Sequence, residues 1–148
     1  MITLETAEQA ALTSYSVVVC PLAARETVLQ TYALARWLDE HVPLRNAPRI
    51  RLSAASHSCN HNHDGDIRLQ EPASSQTAAA SQSIDVDLAA GEGRTLHLAA
   101  AALWSELPQL LTTLLRSFIV ERCAHETFRE YIARFDAQAL SERLGLSR

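Results

Sequence analysis

Six side chains capable of metal ligation or acid–base chemistry are crowded between residues 57 and 66: His57, Cys59, His61, His63, Asp64 and Asp66. The first four recur at every second position, so on an extended segment all four point to one face. Three imidazole nitrogens and one thiolate suit zinc or copper. Structural zinc sites usually take their ligands from two separated pairs, however, and four from one short segment would require awkward bond angles. A transition-metal site at His57, Cys59, His61 and His63 therefore stands beside a plainer reading, polar residues exposed in a turn. Asp64 and Asp66 are most simply turn formers. Nothing in the sequence suggests a Ser-His-Asp triad, a glycine-rich phosphate loop or a paired-carboxylate site.

Elements on either side must position this cluster. Arg49-Ile50-Arg51-Leu52-Ser53 and Asp66-Ile67-Arg68-Leu69-Gln70 alternate with the period of a half-buried strand, which makes the cluster a turn between two strands. Upstream, Tyr15-Ser16-Val17-Val18-Val19-Cys20 is a β-branched run ended by Pro21. It predicts a strand buried on both faces, with Cys20 at its end. From about Ala23 to His41 the pattern turns helical: Val28, Tyr32, Ala35, Leu38 and Val42 form one stripe, and Pro43 ends it. Strand, helix, strand in that order implies a crossover unit.

Residues 2–13 predict a short amphipathic helix or docked arm. Residues 71–83 are small and polar without periodicity and predict a flexible loop. Ile84, Val86 and Leu88, then Leu96 and Leu98, mark two strands around the turn Ala89 to Gly93. In the last third Ser105 is a candidate N-cap, and Leu107, Leu111, Leu114 and Phe118 make a buried helical stripe. A second helix spans about His125 to Phe135 and a third ends near Gly145. Cys123, between the first two, reads as a small buried hydrophobe. The fold class is α/β (α+β): a mixed sheet of about five strands with a crossover helix and C-terminal helices packed on it.

With 148 residues the chain forms one domain, 1–148, large enough to bury a core without staples. Its cysteines, Cys20, Cys59 and Cys123, are odd in number and irregularly spaced, which argues for a reducing compartment. No apolar run approaches a membrane span, and no basic region precedes an apolar stretch near Met1, so the expected location is the cytoplasm. All 13 basic residues are arginine, which excludes Schiff-base lysine chemistry. They are dispersed and stacking aromatics are few, so nucleic acid is not an expected partner.

The residues also resemble a family. Leu52-Ser53-Ala54-Ala55-Ser56-His57-Ser58-Cys59-Asn60-His61-Asn62-His63-Asp64-Gly65-Asp66-Ile67 is similar to the S-G-C-P-N-S-C-x-x-H-x-x-D-I segment of ferredoxin-type nitrite and sulfite reductases. Cys20-Pro21-Leu22-Ala23 resembles that family's C-P-L-A element. I-D-V-D-L-A-A and E-R-C-A-H-E-T-F-R-E-Y resemble its glycine-paired strand and closing helix, so the likeness covers about residues 14–135. In the family four cysteines, C-x5-C and C-x3-C, hold a 4Fe-4S cluster, and the last also bridges to sirohaem iron. The resemblance places the second and fourth on Cys20 and Cys59, the first on Ser14 and the third on Ala55. The paired glycines become Ala89 and Ala90. These departures imply no intact 4Fe-4S cluster, since such clusters are held by thiolates. Cys59, with Cys20, is then a candidate for binding sirohaem or haem.

The family's enzymes are pseudo-symmetric, and these residues correspond to one half. The implied function is an accessory or partner subunit of a redox or tetrapyrrole-handling complex, in contact with a protein partner or a second copy. One alternative is a sirohaem-dependent nitrite/sulfite reductase half-subunit, an oxidoreductase completed by another chain. The other is a small zinc- or copper-binding protein.

Overall fold

The computed structural model describes residues 12–45, 47–56, 65–72, 83–91 and 93–145. In chain order these form β1 (Tyr15–Val19), α1 (Arg25–His41), β2 (Ile50–Ala55), β3 (Ile67–Gln70), β4 (Ser83–Ala89) and β5 (Thr95–Leu103). A 3-10 turn (Trp104–Glu106), α2 (Leu107–Glu121), α3 (Phe128–Ile132) and α4 (Ala137–Arg143) follow. The five strands make one sheet in the order β1-β2-β3-β4-β5. β1, β2 and β3 run parallel, whereas β4 and β5 are antiparallel additions. The mixed sheet with a β1-α1-β2 crossover is the architecture that the residue pattern implies.

Period-two alternation sorts the sheet into two unlike faces. Tyr15, Val17, Ile50, Leu52, Ile67, Leu69, Ile84, Val86, Leu88, Leu96 and Leu98 are buried. They share one core with Val28, Tyr32, Ala35 and Leu38 of α1 and with Leu107, Leu111, Leu114 and Phe118 of α2. Both helical stripes lie where the sequence places them. The other face carries Arg51, Asp66, Arg68, Gln70, Asp85, Asp87 and His97, all half-buried or exposed. Register sets Ser53, Arg68, Asp87 and His97 in one cross-strand row on that face.

Several expectations change. Among the described residues β1 pairs with β2, and its Ser16, Val18 and Val19 are half-buried, so the strand is not fully covered on both faces. β2 and β3 are parallel neighbours, and the 57–64 cluster expected as a turn between them lies outside the described residues. Ser105 sits inside the 3-10 turn, and Pro108 occupies the first turn of the helix behind it. α3 begins later than expected, at a capping box in which Thr127 Oγ1 accepts the Glu130 N–H and Glu130 accepts the Thr127 N–H. Cys123 is exposed, with Arg134 Nη2 at 3.2 Å from its Sγ, and is not a core residue. The arm expected at 2–13 lies outside the described residues up to 11, and so does the expected loop from 73 to 82. Among the described residues no helix is long and apolar enough to cross a membrane.

Candidate functional site

Three parallel strands leave their carboxyl ends side by side, and open α/β sheets present ligand-binding groups at such an edge. Cys20 stands there, half-buried, directly after β1. The β1–β2 ladder continues past Val19, because the Cys20 N–H donates to the Ala54 carbonyl at 2.8 Å. With Val19 opposite Ala54, the residue beside Cys20 is Ala55, which is fully buried and carries no donor atom. Ser56 follows, its carbonyl accepting from Gln70 Nε2 at 3.2 Å.

The amide end of α1 opens onto the same edge, and the chain fills it itself. Glu71, at the end of β3, accepts the Ala24 N–H and the Thr27 hydroxyl, each at 2.7 Å. A carboxylate suits the positive end of a helix and supplies the side-chain cap that Ala24 lacks. Sequence reading missed Glu71 because it begins a stretch that otherwise reads as featureless loop.

His57, Cys59, His61, His63 and Asp64 lie outside the described residues. The described residues stop at Ser56 and resume at Gly65. A β-carbon on Gly65 would lie 2.2 Å from Ser53 Oγ, so glycine is what lets the chain pass directly against β2 on the polar face. Asp66 is more than a turn former. One carboxylate oxygen accepts the Arg51 N–H at 2.8 Å and the other pairs with Arg129 Nε at 2.6 Å, tying β3 to β2 and α3.

Of the four positions that the reductase resemblance assigns to cluster ligands, Ser14, Cys20 and Ala55 are among the described residues, and Ser14 does not converge with the other two. Ser14 starts the β1–β2 ladder, its carbonyl accepting from the Ile50 N–H, while Cys20 ends it. Six residues of strand separate them by about 20 Å, at roughly 3.3 Å per residue. Ser14 is buried, and its hydroxyl accepts the Leu44 N–H at 2.8 Å. Position 55 adjoins Cys20 but holds a methyl group. These residues do not fit a four-thiolate cluster. Ala89 and Ala90 are both buried, and Ala90 donates to the Arg94 carbonyl to close the β4–β5 hairpin at Gly91, where φ is +71°.

Among the described residues no three of His, Cys, Asp and Glu gather to hold a metal ion. One pair that sequence reading missed is His97 Nδ1 with Asp87 Oδ1 at 2.7 Å, opposite each other on β5 and β4. Alternation puts both on the polar face, but only the register makes them partners.

No established family profile matches the chain, and no solved structure matches it. Among curated proteins it is similar to the assimilatory ferredoxin-dependent nitrite reductase of Haloferax mediterranei, at 24% identity over 132 residues. That alignment covers 83% of this chain and 22% of the reductase, so the chain spans about a fifth of the length of the curated relative it matches.

Proposed function

We propose, from its similarity to a ferredoxin-dependent nitrite reductase, that the chain is a nitrite/sulfite reductase-like domain without an intact four-thiolate cluster site. It works as an accessory or partner subunit of a redox or tetrapyrrole-handling complex, in contact with another protein or a second copy. The observation that carries this reading is the strand-end pair of Cys20 and Ala55. The C-P-L-A element sits at a sheet edge suited to ligands, yet its neighbour has no atom that could bind iron. Cys20 and Cys59 are the thiols this chain would bring to a tetrapyrrole. Lysine, which can serve as a point-charge anion clamp, is absent from the sequence, so a substrate anion would need arginine or groups from a partner.

The test is production and purification without oxygen, followed by iron, acid-labile sulfide and visible absorbance. The expected result is far less than four irons per chain; a stoichiometric four-iron cluster would overturn the reading. Titration with sirohaem, zinc and copper(I) then separates the chemistries. A tetrapyrrole spectrum that depends on Cys59 or Cys20 supports the proposal. Tight zinc or copper binding lost on replacing His57 and His63 points instead to a metal-binding protein, with affinity falling as pH drops through the histidine range near roughly 6.5. Capture of a reductase-type partner from the native host that turns over nitrite or sulfite only in the complex would identify a half-subunit.

A further inference from the structure

Position 14 is treated by the reductase resemblance as a ligand that has been lost, yet the structure gives it a different task. Around Ser14 three backbone segments meet. Its N–H donates to Asp39 Oδ1 at 2.7 Å, which ties β1 to the last turns of α1. Its hydroxyl accepts the Leu44 N–H at 2.8 Å, which holds the α1–β2 connection. Its carbonyl accepts the Ile50 N–H at 3.1 Å, which starts the β1–β2 ladder. Thr13 donates to the same Asp39 carboxylate through its N–H and hydroxyl. Tyr15, next along, is fully buried and donates its hydroxyl to the Val42 carbonyl at 2.6 Å.

We infer that the four-thiolate pattern fails in this chain through its backbone as well as its side chains, and that Ser14 is the joint holding the α1–β2 connection to β1. The inference rests on the reading that the chain is reductase-like. Val17, Val18 and Val19 supply the local reason, since β-branched residues favour an extended ladder over a loop that could fold position 14 back toward Cys20. A cysteine at position 14 would therefore stand against the Leu44 N–H, about 20 Å along the strand from Cys20. A cysteine at position 55 would stand beside Cys20.

The experiment uses the full chain with Ala55→Cys, Ser14→Cys, the two combined, and Ser14→Ala. Cadmium is titrated and followed by its thiolate charge-transfer absorbance, and iron and sulfide are reconstituted anaerobically. Ala55→Cys is expected to bind cadmium more tightly than wild type, and Ser14→Cys to add nothing alone or in combination. The double variant is expected to gain no four-iron cluster beyond what Ala55→Cys gains. Ser14→Ala is expected to lower Tm by roughly 3–10 °C, because a buried N–H loses its acceptor. Four irons per chain in the double variant but not in Ala55→Cys would overturn the inference, and so would an unchanged Tm in Ser14→Ala. If Ser14→Cys fails to fold, the Tm of Ser14→Ala still decides the point. Iron in the wild-type protein tests the proposed function separately, because none of the position 14 outcomes depends on it.

Discussion

The two ends of the parallel strands use their polar residues differently. At the amino end of β1, Thr13, Ser14, Tyr15 and Asp39 are bonded to one another or to the backbone, and Arg49 Nε donates to the Thr13 carbonyl at 3.1 Å. Burial, with a smaller push from the Asp39 charge, raises the Tyr15 phenol well above its ordinary pKa, so it remains a neutral donor across the working pH range. At the carboxyl end Glu71 holds α1, and beside it stand Cys20, Ala55 and the exit toward the histidine- and cysteine-rich segment. One end is a structural joint. The other carries Cys20 beside the Glu71 cap and the Gln70–Ser56 bond. Side chains able to do chemistry therefore say little until one knows which end of a strand they occupy.

The largest test of that contrast is Tyr15→Ala. It empties a fully buried aromatic site and leaves the Val42 carbonyl without its donor. A loss of about 3–5 kcal/mol is expected in urea-induced unfolding. A loss under about 1 kcal/mol would mean that the joint bears little of the fold's stability.

Next in size is Gly65→Ala, which tests the close approach of the chain to β2 just ahead of β3. The added methyl would meet Ser53 Oγ at 2.2 Å and Ser53 Cβ at 2.6 Å. An overpacking cost of about 1–3 kcal/mol is expected. Because both atoms belong to one side chain, adding Ser53→Gly should recover part of that cost in a double-mutant cycle. Additive losses would show that the chain at Gly65 does not lie against Ser53 of β2.

Much of this architecture is legible in the residues, and what is hidden has one physical source. Period-two and period-3.6 patterns reveal which face of an element is buried, so the stripes of α1 and α2 and the alternation of β2, β3 and β4 are recoverable. Those patterns carry no information on strand direction or neighbour. Arg49 to Ser53 and Asp66 to Gln70 would alternate identically in a hairpin or in a parallel return, and only pairing distinguishes them. The same gap conceals the Cys20–Ala55 adjacency and the His97–Asp87 pair. The start of α3 was different, because Thr127 and Glu130 at capping-box spacing are visible in the sequence. Cys123 shows the limit of residue-type averages: free cysteines are usually buried, but this one follows a helix end at the surface.

A smaller effect belongs to Glu71→Gln at the carboxyl edge. Replacing the carboxylate keeps one acceptor oxygen but removes the charge facing the amide end of α1. A loss of about 0.5–1.5 kcal/mol is expected, reduced by added salt because part of it is electrostatic. A salt-independent loss would assign the whole effect to hydrogen-bond geometry.

The smallest stability effect is expected at Cys20, and it sharpens the contrast most. Cys20 lies beyond the last residue of β1, is half-buried, and contributes to the β1–β2 ladder through its backbone N–H, which any residue except proline supplies. Cys20→Ser is nearly isosteric and leaves that bond intact, so unfolding stability should shift by no more than about 0.5 kcal/mol. If the strand-end thiol serves a ligand, the same substitution should still remove any thiolate-type spectral change seen when sirohaem is added to the wild-type protein. An outcome of unchanged stability with lost binding would mark Cys20 as a ligand-facing group. A loss of stability comparable to Ser14→Ala would mean that both ends of β1 are joints. In that event the search for the tetrapyrrole thiolate would move from Cys20 to Cys59.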